Sequence, residues 1–303
     1  MKKVAISVGD INGIGLEILF FSHDIVKKIC SPYYIINKKL LNRASKLLNI
    51  KIPNGFEIVE VGDDFEINPG IVSKDSGKFS HDSFLKAIEL AQIKEVDAIC
   101  TMPINKEAWS RAGIKEAGHT AILSKLFNQE AIMMIGCDKL FTSFFTHHIP
   151  LKDVASSIDE DRLVEFLITF QKSVQQDKIG VLGLNPHAGD GGVIGDEEKI
   201  ICSSIDKANE FLSKKIFYGP LVPDTAFTSA MREQFSYYVC MYHDQGLIAV
   251  KSLFFDESIN VSLNLPIVRT SVDHGTAYDK AYKGKNPSNL SYINAIKEAI
   301  KDK

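Results

Sequence analysis

Val4–Ile25 reads VAISVGDINGIGLEILFFSHDI: a short β-branched run, a glycine-broken turn, then a longer segment of helical period. A strand feeding directly into a helix is the repeating unit of α/β architecture, and the same unit recurs outward along the chain. Tyr33–Ile36 precedes a helical segment at Lys39–Leu48. Phe56–Val61 precedes, after a gap, His81–Ala91, where Phe84, Leu85, Ile88 and Ala91 share one helix face. Runs such as Val96–Thr101 (VDAICT) and Lys178–Leu184 (KIGVLGL) are apolar almost throughout, as strands covered by helices on both faces must be. The pattern predicts an α/β protein with a mostly parallel sheet and ligands held beyond the carboxyl ends of its strands.

With 303 residues, 45% of them hydrophobic and 24% charged, the chain can bury a large core, expected in two lobes. A formal charge of -3 and a pI near 6.3 give no global pull toward nucleic acid or a membrane surface, so small molecules are the expected partners. Cys30, Cys100, Cys137, Cys202 and Cys240 are scattered, mostly in apolar runs, without CxxC spacing. They read as reduced core thiols of a cytoplasmic protein. The amino-terminal MKKVAISVGD meets Asp10 after too short an apolar stretch for a signal segment or a membrane span.

His148, His187 and His243 each follow an apolar, strand-like run, in FFTHHIP, IGVLGLNPHAG and YYVCMYHDQG. Neutral imidazole is the commonest ligand of a catalytic divalent metal, and three such ligands leave a coordination position for substrate. His187 lies among Pro186, Gly189, Gly191 and Gly192, and His243 is followed by Asp244, a carboxylate able to orient it. His147, next to His148, is expected on the opposite face of the same strand, in a structural role.

Other polar residues stand where a packed core has no use for them: Lys106 in TMPINKEAW, His119 and Thr120 in AGHTAIL, Lys251 in GLIAVKS, and Asn260 and Arg269 flanking VSLNLPIV. Singly they read as solvated side chains; jointly they make a clamp for phosphate or carboxylate. GDINGIGLE, Gly9–Glu17, opens a helix after a strand and reads either as an anion-facing turn or as a plain connection. Its spacing is not GxGxxG, and the second strand-like run ends in Asn37 and Lys38 without the acidic residue of a ribose site. Val272–Pro287, VDHGTAYDKAYKGKNP, is a polar loop dense in Gly, Asp and Lys.

Taken in order, GDINGIGLE, TMPINKEAW, AGHTAIL, THHIPLKDV, GLNPHAGDGGVIGDEE, GPLVPDTAF, YHDQGLIAVK and NLPIVRTSVDHGTAYDKAYKGK resemble, nearly end to end, the 4-hydroxythreonine-4-phosphate dehydrogenase (PdxA) family of vitamin B6 biosynthesis. The resemblance implies a two-domain fold of isocitrate/isopropylmalate dehydrogenase type with the active site in a cleft between lobes, residues 1–125 with 263–303 forming one lobe and 126–262 the other. It implies a homodimer whose divalent metal (zinc foremost, magnesium or cobalt otherwise) is held by His148, His187 and His243, the third coming from the partner subunit. His119, Thr120, Lys251, Asn260 and Arg269 match the family's substrate-binding positions. Asp273, His274, Gly275, Thr276 and Ala277 resemble the loop with which isocitrate and isopropylmalate dehydrogenases bind NAD or NADP without a Rossmann fingerprint. Asp224 and Asp244 lie in motifs near the metal and, with Lys106, are the candidates for general base.

The chain departs from the family pattern at GDINGIGLE, which lacks the prolines of GDPAGIGPE, and at Tyr282, where glycine is usual. The implied reaction oxidises 4-phosphooxy-L-threonine with NAD(P)+ and then decarboxylates the β-keto acid to 3-amino-2-oxopropyl phosphate. Dehydrogenases of threonate or erythronate phosphates, a metallohydrolase of a phosphorylated metabolite, and a metabolite-binding regulator that has lost turnover stand as the alternatives. A working dinucleotide loop separates the dehydrogenases from the hydrolase, and turnover separates them from the regulator.

Overall fold

The computed structural model describes residues 1–301. The chain divides into two compact units, the first built from residues 1–131 and 259–301, the second from Ile132–Ser258. The first unit opens with β1 (Lys3–Ser7), α1 (Gly15–Val26), β2 (Ser31–Ile35), α2 (Lys38–Leu48), β3 (Ile58–Val59), α3 (Lys74–Gln92), β4 (Ala98–Thr101), α4 (Lys106–Arg111) and α5 (His119–Phe127). The second contains β5 (Ile132–Cys137), β6 (Leu140–Thr146), α6 (Glu160–Val174), β7 (Ile179–Leu182), α7 (Glu197–Phe211), β8 (Phe217–Leu221), α8 (Ser229–Gln234), β9 (Tyr237–Tyr242) and α9 (His243–Phe254). The chain then returns to the first unit with β10 (Ile259–Leu263), β11 (Val268–Val272) and α10 (Leu290–Ala299).

In the first unit the strand order is β3-β2-β1-β4-β11-β10, parallel throughout except for the antiparallel β10–β11 pair. In the second it is β5-β6-β9-β7-β8, parallel except for β5–β6. The predicted α/β class with a mostly parallel sheet is what forms. Val4, Ala5, Ile6 and Ser7 of β1 are all buried, because helices cover both faces of the strand. Ala5, Ile35, Phe84, Ile88, Ile99 and Trp109 pack into the core of the first unit; Leu140, Phe144, Leu182, Tyr238 and Val250 do so in the second. Trp109 is wholly buried, and its Nε1 donates to Ser80 Oγ at 2.8 Å, so its one polar atom is satisfied.

Local chemistry sets the helix starts. Asn37 caps α2 by accepting from the Lys39 and Leu40 amides, and Ser73 caps α3 by accepting from Ser76 N. The latter cap starts α3 well before the predicted His81, through a polar first turn that hides its helical period. Phe56–Val61 contributes only the short β3.

Two expectations need correction. β6 ends at Thr146, and the backbone turns into the left-handed region at His148 (φ 55°), so His147 and His148 do not alternate across one strand. Cys202 is exposed, whereas Cys30, Cys100, Cys137 and Cys240 are buried; all five are free thiols. Among the described residues no helix is long and apolar enough to cross a membrane.

Candidate functional site

In the second unit β6, β9, β7 and β8 are consecutive parallel neighbours, so their carboxyl ends lie side by side. His148 stands just past β6, His243 directly after β9, His187 in the loop after β7, and Asp224 after β8. Polar side chains tie these ends together. Thr146 Oγ1 donates to Met241 O at 2.7 Å, while Gln245 accepts from Met241 N at 2.7 Å and donates to Gly183 O at 2.8 Å, linking β6, β9 and β7.

The His148 and His243 ring centroids are 5.4 Å apart, and Phe144 packs beside His243 at the same separation. His243 Nδ1 lies 2.7 Å from Asp244 Oδ1. A carboxylate accepts, so Nδ1 carries the hydrogen and the Nε2 lone pair is left for a ligand. His187 opens a left-handed stretch running through Ala188, Gly189, Asp190, Gly191 and Gly192. Each non-glycine there costs roughly 1 kcal/mol, strain of the kind that collects in ligand loops. The loop is anchored by buried Glu198, which accepts from Leu184 N at 2.8 Å and from Asn185 N at 2.7 Å.

Among the described residues of one chain, no group of three or more His, Cys, Asp or Glu is arranged to hold a metal ion. The close pair is His148 with His243, and His187 does not complete it within the same chain. The donor chemistry suits a divalent metal: imidazoles, one of them oriented by a carboxylate. Asp224 and Asp244 are both exposed. Lys251 lies in the last turn of α9, with Nζ 3.5 Å from Ser258 Oγ and 5.3 Å from the Phe255 ring.

In the first unit Arg269 is buried on β11 and donates to Ser262 Oγ at 3.0 Å, Thr101 Oγ1 at 2.8 Å and His119 Nδ1 at 3.2 Å. All three partners are neutral and none is a carboxylate. Burial pulls the guanidinium down to about 10, which leaves it charged at neutral pH. Burial, and then the Arg269 charge, hold His119 well below its usual value, so the ring is neutral and its Nδ1 accepts. The hydrogen is therefore on Nε2, a buried atom with no hydrogen-bond partner. Arg269 Nε and Asn260 Oδ1 are likewise buried and unsatisfied. Cross-strand register pairs Asn260 with Ser271 and Ser262 with Arg269, which sets these side chains on one face of β10–β11. Phe84 and Trp109 hold the His119 ring edge-on, with centroids at 4.4 and 5.6 Å. His119 and Thr120 open α5, and exposed Lys106 lies beside Gly118, where an added Cβ would meet its Cε at 3.6 Å.

Residues 273–277 follow β11. Asp273 N donates to Ser291 Oγ at 3.1 Å, Thr276 O accepts from Ile14 N at 3.0 Å, His274 Nδ1 donates to Gly275 O at 3.0 Å, and Ala277 is left-handed (φ 44°). The glycines of GDINGIGLE serve close backbone approach: a Cβ on Gly13 would stand 2.7 Å from Thr276 O, and one on Gly9 would stand 2.3 Å from Pro103 O. Thr101 and Ser262, which complete the Arg269 cluster, escaped the sequence reading. Their signal is a hydroxyl at the end of VDAICT and another inside VSLNLPIV.

A family model described as "Pyridoxal phosphate biosynthetic protein PdxA" matches residues 28–299. The chain is 58% identical to the 4-hydroxythreonine-4-phosphate dehydrogenase of Sulfurimonas denitrificans, covering 98% of this chain and 97% of that protein. It is 56% identical to the protein of the same name from Campylobacter fetus, covering 99% and 98% of the two. The crystal structure of a 4-hydroxythreonine-4-phosphate dehydrogenase from Burkholderia phymatum superposes with a TM-score of 0.82 at 32% identity, covering 99% of this chain and 97% of that one.

Proposed function

The chain belongs to the PdxA family of pyridoxal phosphate biosynthetic proteins, and on that premise we propose that it oxidises 4-phosphooxy-L-threonine with NAD+ or NADP+. The observation that carries the reading is buried Arg269, a positive charge with only neutral partners, whose Nε and the neighbouring His119 Nε2 are buried donors with no hydrogen-bond partner. A buried charge without a counter-charge is costly, and an anionic substrate supplies what is missing.

Arg269, His119 through its Nε2–H, Thr120 and Asn260 hold the substrate's phosphate and fix the reacting carbon, and Lys251 is a substrate-binding position on the family resemblance alone. Hydride passes from C3 to the nicotinamide ring, and the hydroxyl proton goes to one of Asp224, Asp244 or Lys106. The C1–C2 bond of the resulting 2-amino-3-oxo-4-phosphooxybutanoate then breaks, carbon dioxide leaves, the electron pair passes into the neighbouring ketone as an enolate, and a proton taken up at C2 gives 3-amino-2-oxopropyl phosphate.

His148, His187 and His243 hold one divalent metal, zinc before magnesium or cobalt, with one of the three histidines delivered by a second copy of the chain. When bound, the metal supplies Lewis acidity toward the substrate hydroxyl and the ketone formed from it. The His243–Asp244 hydrogen bond, which leaves Nε2 available, supports that role. Asp273, His274, Gly275, Thr276 and Ala277 take the dinucleotide. Four buried thiols support a cytoplasmic location.

The deciding experiment is absorbance at the reduced-nicotinamide band with 4-phosphooxy-L-threonine and either cofactor, with and without chelator and added zinc. A metal-dependent rise is expected. No rise with metal-replete dimer overturns the substrate assignment and moves the search to threonate and erythronate phosphates, then to phosphate release by hydrolysis.

A further inference from the structure

Asp10 is almost wholly buried, yet nothing in the proposed reaction uses it. Its Oδ2 accepts from Tyr278 OH at 2.7 Å and from Ser76 Oγ at 3.2 Å, and its Oδ1 accepts from Asn12 N at 3.0 Å. One carboxylate thus gathers the turn after β1, the first turn of α3 and the residue that follows Ala277. The backbone repeats the connection: Asp10 N donates to Pro103 O at 2.8 Å, and Ile14 N to Thr276 O at 3.0 Å. Tyr282 OH donates to Ile11 O at 2.9 Å, so the far end of the polar segment is fastened to the same turn.

Burial raises the Asp10 carboxyl above its usual value, against the pull of the hydrogen bonds from Tyr278, Asn12 and Ser76. A carboxylate kept in so dry a place adds little net stability and is better explained by the geometry it fixes. That geometry belongs to residues 273–277, where Gly275 is exposed with open space around it and Ala277 sits at positive φ.

We propose that Asp10 and Tyr278 are positioning residues that hold the Asp273–Ala277 loop in the conformation that accepts a pyridine nucleotide. The inference rests on the reading of that loop as the dinucleotide site. Tyr278→Phe deletes only the hydroxyl and leaves Asp10 with its Ser76 and Asn12 donors, so the fold should survive while the loop loses its tie to Asp10 and keeps the one from Asp273 N to Ser291 Oγ.

The test compares wild type, Tyr278→Phe and Asp10→Asn by amide hydrogen exchange without ligand, then by fluorescence titration with NADH and NADPH and by steady-state kinetics. Exchange in peptides spanning 273–278 should speed up by roughly tenfold in both variants, with the dissociation constant and KM for the dinucleotide rising by a similar factor. The KM for the phosphorylated substrate should stay within about twofold, a split that general destabilisation does not produce. If wild type binds NADH while Tyr278→Phe shows unchanged exchange and unchanged affinity, positioning is overturned and the nucleotide reading stands. If wild type binds neither dinucleotide, the reading of the loop falls and takes this inference with it.

Discussion

His243 Nδ1 and Asp244 Oδ1, on adjacent residues at the start of α9, are 2.7 Å apart and fix which ring nitrogen carries the hydrogen. If Nε2 is a metal ligand, Asp244 sets both its tautomer and its basicity, and such partners are worth about 10–100-fold in metal affinity. Asp244→Ala should weaken zinc binding by that factor in a competitive chelator titration. Undiminished affinity would remove Asp244 from the metal site and leave it only as a candidate base.

Arg269 should show stability and function pulling in opposite directions. Arg269→Met replaces an uncompensated buried charge with an apolar chain of similar length, so unfolding free energy should rise by roughly 1 kcal/mol or more. The same change should raise the KM for the phosphorylated substrate by about 100-fold or abolish turnover, while dinucleotide affinity holds. Arg269→Lys keeps the charge but not the fork that reaches Ser262 and Thr101 together. A stable Arg269→Met enzyme with normal substrate kinetics would contradict the proposed anion site.

His119 predicts acid lability. Its folded pKa lies below the unfolded value of about 6.5, so the unfolded chain takes up a proton that the folded chain refuses. Stability is therefore full above about pH 6.5 and declines as pH falls. His23, also lowered by burial, contributes with the same sign, so the informative quantity is a difference. Melting of wild type between about pH 7.5 and pH 5.5 should fall more than that of His119→Asn, which keeps an acceptor for Arg269 but cannot titrate there. Parallel curves would show that His119 charges freely in the fold.

Strand-and-helix alternation is legible in the sequence wherever both faces of a strand are buried, as in Val4–Val8 and Ile179–Leu182, because burial makes the run apolar without period. The histidines at 148, 187 and 243 stand out for the same reason, as polar residues that end such runs. Strand order is not legible. Nothing in the local pattern says that β9 inserts between β6 and β7 and brings His243 against His148. The Arg269–Thr101 bond joins residues 168 apart, a proximity created by the β4–β11 pairing alone. The departures from the family pattern gain a meaning only in three dimensions, since Tyr282 donates to the carbonyl of Ile11, which stands where GDPAGIGPE has proline.

Gly77 makes a related point, because a glycine inside a helix normally reads as a weakness. A Cβ there would lie 2.1 Å from Ala108 O and 2.3 Å from Ala108 C, so α3 and α4 can approach only through a bare backbone. Gly77→Ala forces backbone apart instead of turning a side chain, and overpacking of this kind costs about 1–3 kcal/mol or more. Calorimetry should show melting lowered by roughly 5 °C. An unchanged melting temperature would mean that the two helices separate without penalty.

Each expected metal-binding histidine is followed closely by an exposed apolar side chain: Leu151 after His148 (69% exposed), Val193 after His187 (83%) and Ile248 after His243 (68%). Single exposed apolar residues are ordinary, and these three carry a prediction only on the proposal that a second copy of the chain delivers one of the three histidines and covers them. His148 and His243 meet within one protomer and His187 does not complete the group there, so dimerisation and metal binding should fail together. Sedimentation of the wild type should give twice the 33.6 kDa chain mass. Val193→Asp and Ile248→Asp should each shift it toward the monomer, lower zinc occupancy, and abolish turnover while leaving secondary structure intact. A monomeric variant that still binds zinc with wild-type affinity would show that one chain completes the metal site and that the exposed apolar residues serve another purpose.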